Sequence, residues 1–203
     1  HRWLAEDREE AYSDWLQWVV NVARTPARVF RLFGQPCPAD LTESDASSLD
    51  CRREFFVEKG HLGHGGRLDL FITYRTVPRL IIEVKTTDAD ASDTEKHRGY
   101  SESLQGMAAN QAAKVLLAVG GREPDYDGFQ LFPWREFCIE CRRHSRQLLA
   151  ENRVMFAAQT LALVSAVEQN LLGYSAETVR GVCCGRMAIF NATLIEHLEQ
   201  WLQ

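Results

Sequence analysis

The chain has 203 residues, 45 % hydrophobic and 25 % charged, which indicates a globular domain with a substantial core rather than a disordered or fibrous chain. No apolar run could cross a bilayer, because the longest candidate, residues 155–167, is interrupted by Gln159 and Ser165, and the first residues lack a signal-peptide pattern. The net charge of −5 argues against tight nucleic-acid binding by the chain alone, although a local basic groove or a partner subunit could still provide it. We therefore expect a cytoplasmic protein without membrane contact.

The first part of the chain predicts one helix and then a strand. Apolar side chains follow helical spacing over residues 6–23, and Pro26 lies just beyond the end of this run. Residues 34–49 are rich in Pro, Ser and Asp and predict a loop. A first strand is expected at residues 51–57, followed by a glycine-rich turn at residues 61–66.

Two strands with alternating side chains come next, joined by a short turn at residues 76–78. The first covers residues 67–74 and places four apolar side chains on one face: Leu68, Leu70, Ile72 and Tyr74. Its other face carries Asp69, Phe71 and Thr73. The second strand covers residues 79–85 and has Leu80, Ile82 and Val84 on one face. Ile81, Glu83 and Lys85 occupy its other face.

The rest of the chain is mainly helical. Two short strands are expected, at residues 115–119 and 129–132. The predicted helices are residues 94–111, a helix that begins near Pro133 and passes Cys141, residues 151–172 closed by Gly173, and residues 176–202. This order predicts an α/β core over residues 1–145, with a helical extension over residues 146–203 packed against it.

The cysteines admit two interpretations. Cys138 and Cys141 have the spacing of half a zinc site, and the adjacent Cys183 and Cys184 could supply the remainder. Adjacent cysteines are a poor second half, however, and Cys138 and Cys141 stand in a helical pattern without the glycine turns of zinc knuckles. Buried, reduced thiols are therefore the preferred interpretation.

The predicted hairpin gathers charged side chains at the end of apolar strands. Glu83 and Lys85 point the same way because strand side chains repeat every second residue, and folding about the turn brings Asp69 within about one rung of them. Such charges are costly in a sheet unless they are paired or bind an ion. Two carboxylates suit magnesium, and a lysine can orient the attacking water or stabilise transition-state charge. The alternative is a plain salt bridge between Lys85 and an acidic residue.

Residues Gly66-Arg67-Leu68-Asp69, followed by Ile81-Ile82-Glu83-Val84-Lys85, resemble the active-site hairpin of the PD-(D/E)XK nuclease superfamily, although Leu68 stands where the family usually has proline. The resemblance implies a restriction-endonuclease-like αβββαβ core with a mixed central sheet, spanning about the first 120 residues. It also implies phosphodiester hydrolysis in DNA, less often RNA, with Mg²⁺ or Mn²⁺. Asp69 and Glu83 would then hold the metal, and Lys85 would act on the water.

The resemblance extends to the first helix, where many members carry a glutamate that supports the metal site. The pattern of Glu9 followed by Ser13 and an apolar run selects Glu9, which shares a helical face with Tyr12, Leu16 and Val20. Its neighbour Glu10 lies on the polar face, and both could also be solvated acids favoured by the helix dipole. The family pattern further suggests a catalytic glutamine on the helix after the lysine strand, for which Gln105 and Gln111 are the candidates and Gln105 is the one taken; the alternative is a surface glutamine without a role.

Four residues are candidates for contact with nucleic acid. His64 lies in the glycine-rich turn and Arg67 in the hairpin motif. Arg142 and Arg143 belong to a basic cluster with Arg135 and Arg146, which could meet phosphates or could be a solvated helix face balanced by acidic residues. The tryptophans Trp15, Trp18 and Trp134 are expected to be core anchors rather than platforms for base stacking.

The leading hypothesis is a Mg²⁺- or Mn²⁺-dependent DNA endonuclease that serves as an effector of a bacterial defence or restriction-like system. The defence context, and a sensor or ATPase partner that would control access to DNA, rest on the resemblance. A catalytically silent nucleic-acid-binding or scaffold module on the same fold is the alternative hypothesis. Residues 151–203 could in addition mediate homo-oligomerisation.

Overall fold

The computed structural model describes residues 8–41, 48–57, 66–88, 111–121 and 128–174. These residues form an α/β structure with a five-stranded mixed sheet and helices. The described elements, numbered in chain order, are α1 (Glu9–Ala23), α2 (Pro26–Leu32), β1 (Leu49–Val57), β2 (Gly66–Tyr74), β3 (Val77–Val84), β4 (Ala113–Ala118), β5 (Phe129–Pro133), α3 (Trp134–Ala150) and α4 (Val154–Asn170). No helix within the described ranges is long and apolar enough to cross a membrane.

The helix predicted at residues 6–23 corresponds to α1, whose described residues begin at Glu9. Its Tyr12, Leu16 and Val20 are fully buried, as their helical spacing predicts. A second helix, α2, follows after two residues and was not predicted. Pro26 is the first residue of α2, a position that proline favours because its fixed φ suits the helix and no N–H is needed there.

The strands follow one another across the sheet in the order β1-β2-β3-β4-β5. The pairs β1–β2 and β2–β3 are antiparallel, and β4 and β5 continue the sheet in parallel with β3. The register places Leu70 opposite Ile82, and Glu83 beside Leu116. The carboxyl-terminal end of β3 therefore lies between the beginning of β2 and the strand β4.

The hairpin turn differs from its prediction at residues 76–78. Val77 and Pro78 already pair with β2, and the turn consists of Arg75 and Thr76, both with positive φ. Positive φ at both central residues matches the right-handed twist of the strands, so a two-residue connection suffices. The register shifts near Thr73, where Arg79 on β3 is an extra residue between paired positions.

The main hydrophobic core lies on one face of the sheet, where all four described helices contribute side chains. A second, smaller cluster contains Phe71, Ile81 and Leu116, which alternate with core residues along their strands. Leu68 packs in this second cluster, whereas Leu70, which was predicted to share its face, packs in the main core. Leu68 lies beyond the last β2–β3 pair, where β2 is no longer held by the β3 ladder.

The helix predicted at residues 151–172 corresponds to α4, which begins three residues later, at Val154, and ends at Asn170. Helix α3 continues to Ala150, a turn follows at Glu151 and Asn152, and α4 begins at Val154. Asn152 adopts a left-handed φ of 57°, which breaks the helix. The predicted border between residues 145 and 146 falls inside α3, and α4 packs into the main core. The helices predicted at residues 94–111 and 176–202 lie mostly or entirely outside the described residues.

Candidate active site

The site begins where β2 and β3 separate. Their last paired residues are Leu70 and Ile82, so Asp69 lies one position beyond the ladder, across from Glu83. The Asp69 carboxylate oxygen Oδ2 accepts a hydrogen bond of 2.7 Å from the backbone N–H of Val84. A carboxylate thus takes the place of a strand carbonyl, and this bond fixes Asp69 at the opening between the strands.

Glu83 is the penultimate residue of β3 and is only 2 % exposed. Its backbone pairs with Leu116 of β4, whereas the pairing of β3 with β2 ends one residue earlier, at Ile82. A carboxylate at this depth is stable only when hydrogen bonds or a nearby positive charge compensate for its lost hydration. A cation held near Glu83 and Asp69 would provide that compensation.

Lys85 follows β3 directly and is held along its backbone. Its N–H donates a hydrogen bond of 2.8 Å to the carbonyl of Leu117 in β4, and its carbonyl accepts one of 2.8 Å from the indole Nε1–H of Trp134. The Lys85 side chain is 14 % exposed, and its Nζ lies 4.0 Å from Oε2 of Glu9. The ammonium group is therefore directed into the region where β3 ends and α1 begins.

Glu9 stands in the first turn of α1, across from the end of β3. Besides its contact with Lys85, its Oε1 accepts a long hydrogen bond of 3.5 Å from the backbone N–H of Thr86. Glu10, the next residue, is exposed. The structure thus brings Glu9, Lys85 and Thr86 together, and Asp69 and Glu83 lie at the same end of the β2–β3 hairpin.

The carboxylates are the side chains of this site that could coordinate a metal ion. In the part of the chain that the structure describes, no group of three or more His, Cys, Asp or Glu side chains could hold a metal ion. Magnesium is commonly bound by only one or two protein carboxylates together with water and substrate phosphate, and Asp69 and Glu83 are two carboxylates at the same end of the hairpin. Glu9 was also predicted at the metal, and its carboxylate lies near Lys85 Nζ and the Thr86 N–H.

The arginines predicted to contact nucleic acid form ion pairs with other glutamates than Glu9 and Glu83. Arg67, near the start of β2, is exposed and lies 3.3 Å from Glu54. Arg142 forms an ion pair of 2.6 Å with Glu168 of α4, and Arg143 pairs with Glu140 on its own helix. His64 and Gln105 lie outside the described residues.

Two contributors to the site were not predicted from the sequence as site residues. Trp134 was assigned to the core, and it is fully buried, but its indole N–H also binds the Lys85 carbonyl. The only signal in the sequence is that a buried indole requires a hydrogen-bond acceptor, which does not say where that acceptor lies. Thr86 contributes its backbone N–H, for which its residue type gives no signal.

The described cysteines Cys37, Cys51, Cys138 and Cys141 are free thiols. Burial raises the pKa of Cys138 to about 12 and raises that of Cys141 well above its usual value. Zinc binds the thiolate form, so this environment favours the interpretation as protonated, buried thiols. Cys183 and Cys184 lie outside the described residues.

Comparisons with known proteins gave no match: no protein-family model fits the chain, and no curated protein or solved structure is detectably similar to it.

Proposed function

We propose that this protein is a metal-dependent nuclease of the PD-(D/E)XK type that hydrolyses phosphodiester bonds, most naturally as a DNA endonuclease. The observation that carries the proposal is the position of Asp69, Glu83 and Lys85 at the point where β2 and β3 part, with Glu9 facing the lysine. Two carboxylates and one ammonium group at a strand end form an unusual concentration of charge for a core hairpin. Phosphodiester hydrolysis gives each of these groups a role.

The order of the elements supports the same proposal. A helix, three antiparallel strands and a fourth strand parallel to the third resemble the αβββαβ core of that superfamily. A helix between β3 and β4 would complete the pattern, and it is predicted at residues 94–111, outside the described residues except for its last position. Four helices lie on one face of the sheet, so we propose that substrate approaches the end of β3 rather than that face.

Each side chain of the site has a distinct task in this proposal. Asp69 and Glu83 would hold Mg²⁺ or Mn²⁺, which supplies Lewis-acid stabilisation of phosphate charge and lowers the pKa of bound water. Hydrolysis requires a water oxygen to bond to phosphorus while the bond from phosphorus to the leaving sugar oxygen breaks. Lys85 can donate N–H to that water or to a non-bridging phosphate oxygen. Glu9, 4.0 Å from the lysine Nζ, would hold the ammonium group directed toward the site.

The setting that we propose is an effector of a bacterial defence or restriction-like system. The net charge of −5 suits a nuclease whose access to DNA is controlled by a sensor or ATPase partner, because the chain as a whole does not attract polyanions. RNA remains a second substrate class to be compared directly with DNA.

The test is cleavage of supercoiled plasmid, single-stranded DNA and RNA by purified protein with Mg²⁺, with Mn²⁺ and with EDTA. Wild-type protein and Glu10→Ala should cleave in the presence of metal, because Glu10 is exposed and outside the site. Lys85→Ala and Asp69→Ala should each lose at least about a hundredfold in rate, since each removes a group that acts on the reacting centre. Cleavage that persisted unchanged in both variants would remove this site from the mechanism.

Binding of Mn²⁺ distinguishes a latent nuclease from a catalytically silent binding module. If wild type cleaves none of the substrates, calorimetric titration with Mn²⁺ separates a latent nuclease from a module that only binds nucleic acid. Manganese binding that is lost in Asp69→Ala indicates a latent enzyme awaiting its partner. No binding of Mn²⁺ by wild type contradicts the nuclease proposal.

A further inference from the structure

We propose that Trp134 is a positioning residue, which fixes Lys85 in the orientation that catalysis requires through a hydrogen bond to the lysine's own carbonyl. The kinetic part of this inference rests on the proposed nuclease function, whereas the hydrogen bond itself can be tested without any activity. Trp134 would not touch the substrate; it would act only through Lys85.

The first step of the argument is where Lys85 sits in the sheet. It follows Val84, the last residue of β3, so it lies where strand pairing no longer fixes the backbone on both sides. On the β4 side, the Lys85 N–H still bonds to the Leu117 carbonyl at 2.8 Å. The Lys85 carbonyl is bound by the Trp134 indole, also at 2.8 Å. The backbone N–H of Lys85 is therefore held by β4, and its backbone carbonyl is held by α3.

The second step is that the indole itself is rigid. Trp134 is fully buried, and its ring contacts Phe137 edge-on, with ring centroids 5.5 Å apart. The same ring contacts Tyr12, with centroids 5.6 Å apart. Aromatic rings packed in this way have few alternative rotamers, so the N–H is held in one direction before any substrate arrives.

The third step connects the indole to Glu9. Tyr12 lies three residues after Glu9 on α1, so both project from the same side of that helix. The Trp134–Tyr12 contact thus positions α1 relative to α3, and the Trp134–Lys85 bond positions the end of β3 relative to α3. The separation of Lys85 Nζ and Glu9 Oε2 depends on both contacts, which makes Trp134 the common support of the lysine and its counter-ion.

The experiment compares Trp134→Phe with the matched control Trp18→Phe. Phenylalanine keeps an aromatic ring in the core but has no N–H. Trp18 lies farther along α1, where its ring contacts Trp15 of the same helix and Phe156 of α4. We expect Trp134→Phe to lower kcat by about three- to tenfold, as loss of one positioning hydrogen bond predicts. KM and the affinity for Mn²⁺ should stay unchanged, because substrate and metal contacts remain. Trp18→Phe should keep the wild-type kcat.

A second readout is spectroscopic and does not need nuclease activity. In wild type the Trp134 indole N–H should exchange slowly with D₂O, and the backbone carbonyl ¹³C resonance of Lys85 should move in Trp134→Phe but not in Trp18→Phe. If the wild-type protein shows this bond but cleaves nothing and binds no metal, the proposed nuclease function is contradicted, while the hydrogen bond between Trp134 and Lys85 is still established. Rapid exchange of the indole N–H would overturn the inference whatever the activity.

The kinetic outcome is equally decisive. Equal kcat values for Trp134→Phe and Trp18→Phe would overturn the positioning role, and so would a fall in Mn²⁺ affinity that matched the fall in kcat. Circular dichroism establishes that both variants fold. If Trp134→Phe does not fold, 3-benzothienylalanine at position 134 replaces the N–H with sulfur at nearly the same size, and the same comparison applies.

Discussion

Glu9 and Glu10 are neighbours in the first turn of α1, but their side chains meet different surroundings. Glu9 faces the Lys85 ammonium group and the Thr86 N–H, whereas Glu10 is exposed to solvent. Helical geometry causes this difference, because successive residues project about 100° apart around the axis. One position therefore joins the site, and the next belongs to the surface.

This contrast yields a prediction at the residue scale. Glu9→Gln should lower the rate of metal-dependent cleavage by about tenfold, because the amide keeps the size of the side chain but removes the negative charge that holds Lys85. Glu10→Gln should cleave at the wild-type rate. Single-turnover cleavage of plasmid measures both variants, and equal rates would show that Glu9 has no part in the site.

His144 provides a pH prediction. It is buried in α3, close to the side chains of Arg28, Arg153 and Glu151. Burial and the nearby Arg28 and Arg153 guanidinium groups lower the His144 pKa from 6.5 to about 4, against smaller opposing effects of Glu151 and of a hydrogen bond with Gln147. The unfolded chain therefore binds a proton between these two values that the folded chain does not bind.

Stability should consequently fall as the pH drops from about 6.5 toward 4, by up to about 3 kcal/mol from this residue alone. His144→Gln cannot take up the proton, so its free energy of unfolding should depend less on pH between 7 and 5. Urea unfolding at several pH values in this range measures the difference. A slope identical to that of wild type would mean that His144 titrates normally in the folded protein.

At the scale of single elements, the end of α2 depends on a close approach. Gly34 follows the helix with a φ of +67°, and the N–H of Gln35 bonds to the Phe30 carbonyl at 2.9 Å, which closes the helix end. A Cβ added at Gly34 would lie 2.5 Å from Cε2 of Phe132 in β5. Glycine is therefore required here both by the backbone and by the neighbouring strand.

Gly173 after α4 is the matched control, since it has the same φ of +67° but no atom within 4 Å of an added Cβ. Gly173→Ala should cost about 1–2 kcal/mol for the left-handed backbone alone. Gly34→Ala should cost about 1–3 kcal/mol more, because the Phe132 ring must also move. Chemical denaturation measures both, and equal losses would show that the ring moves aside freely.

At the scale of the whole molecule, the two adjacent arginines of α3 have different tasks. The Arg142 side chain is 22 % exposed and pairs at 2.6 Å with Glu168 of α4, which is 13 % exposed, whereas Arg143 is 60 % exposed. Arg142 thus joins the two C-terminal helices of the described chain. Arg143 is the better placed of the two for contact with a phosphate backbone.

Arg142→Ala should lower the free energy of unfolding by about 1–3 kcal/mol, because it leaves Glu168 largely buried without this partner. Arg143→Ala should cost less than about 1 kcal/mol but should weaken nucleic-acid binding and reduce its dependence on salt. Thermal unfolding and fluorescence anisotropy over a salt series measure the two effects. If Arg142→Ala weakened binding without loss of stability, the assignment of tasks would be reversed.

The sequence by itself determined the features that depend on local periodicity. Alternation over residues 67–74 and 79–85 predicted both hairpin strands, and helical spacing placed Tyr12, Leu16 and Val20 in the core. These predictions succeed because the spacing of side chains along a strand or helix is fixed by the backbone alone. The same spacing directed Glu9, rather than Glu10, toward the core side of α1.

Only the tertiary structure decided which of these side chains meet. The seven residues of α2 are too few for a periodic signal, so this helix was not predicted. The bond from Trp134 to Lys85 joins residues 49 positions apart, and that from Thr86 to Glu9 joins residues 77 apart. Such contacts follow from the order of the strands and the packing of α1 and α3 around them, and these depend on the whole chain rather than on any local pattern.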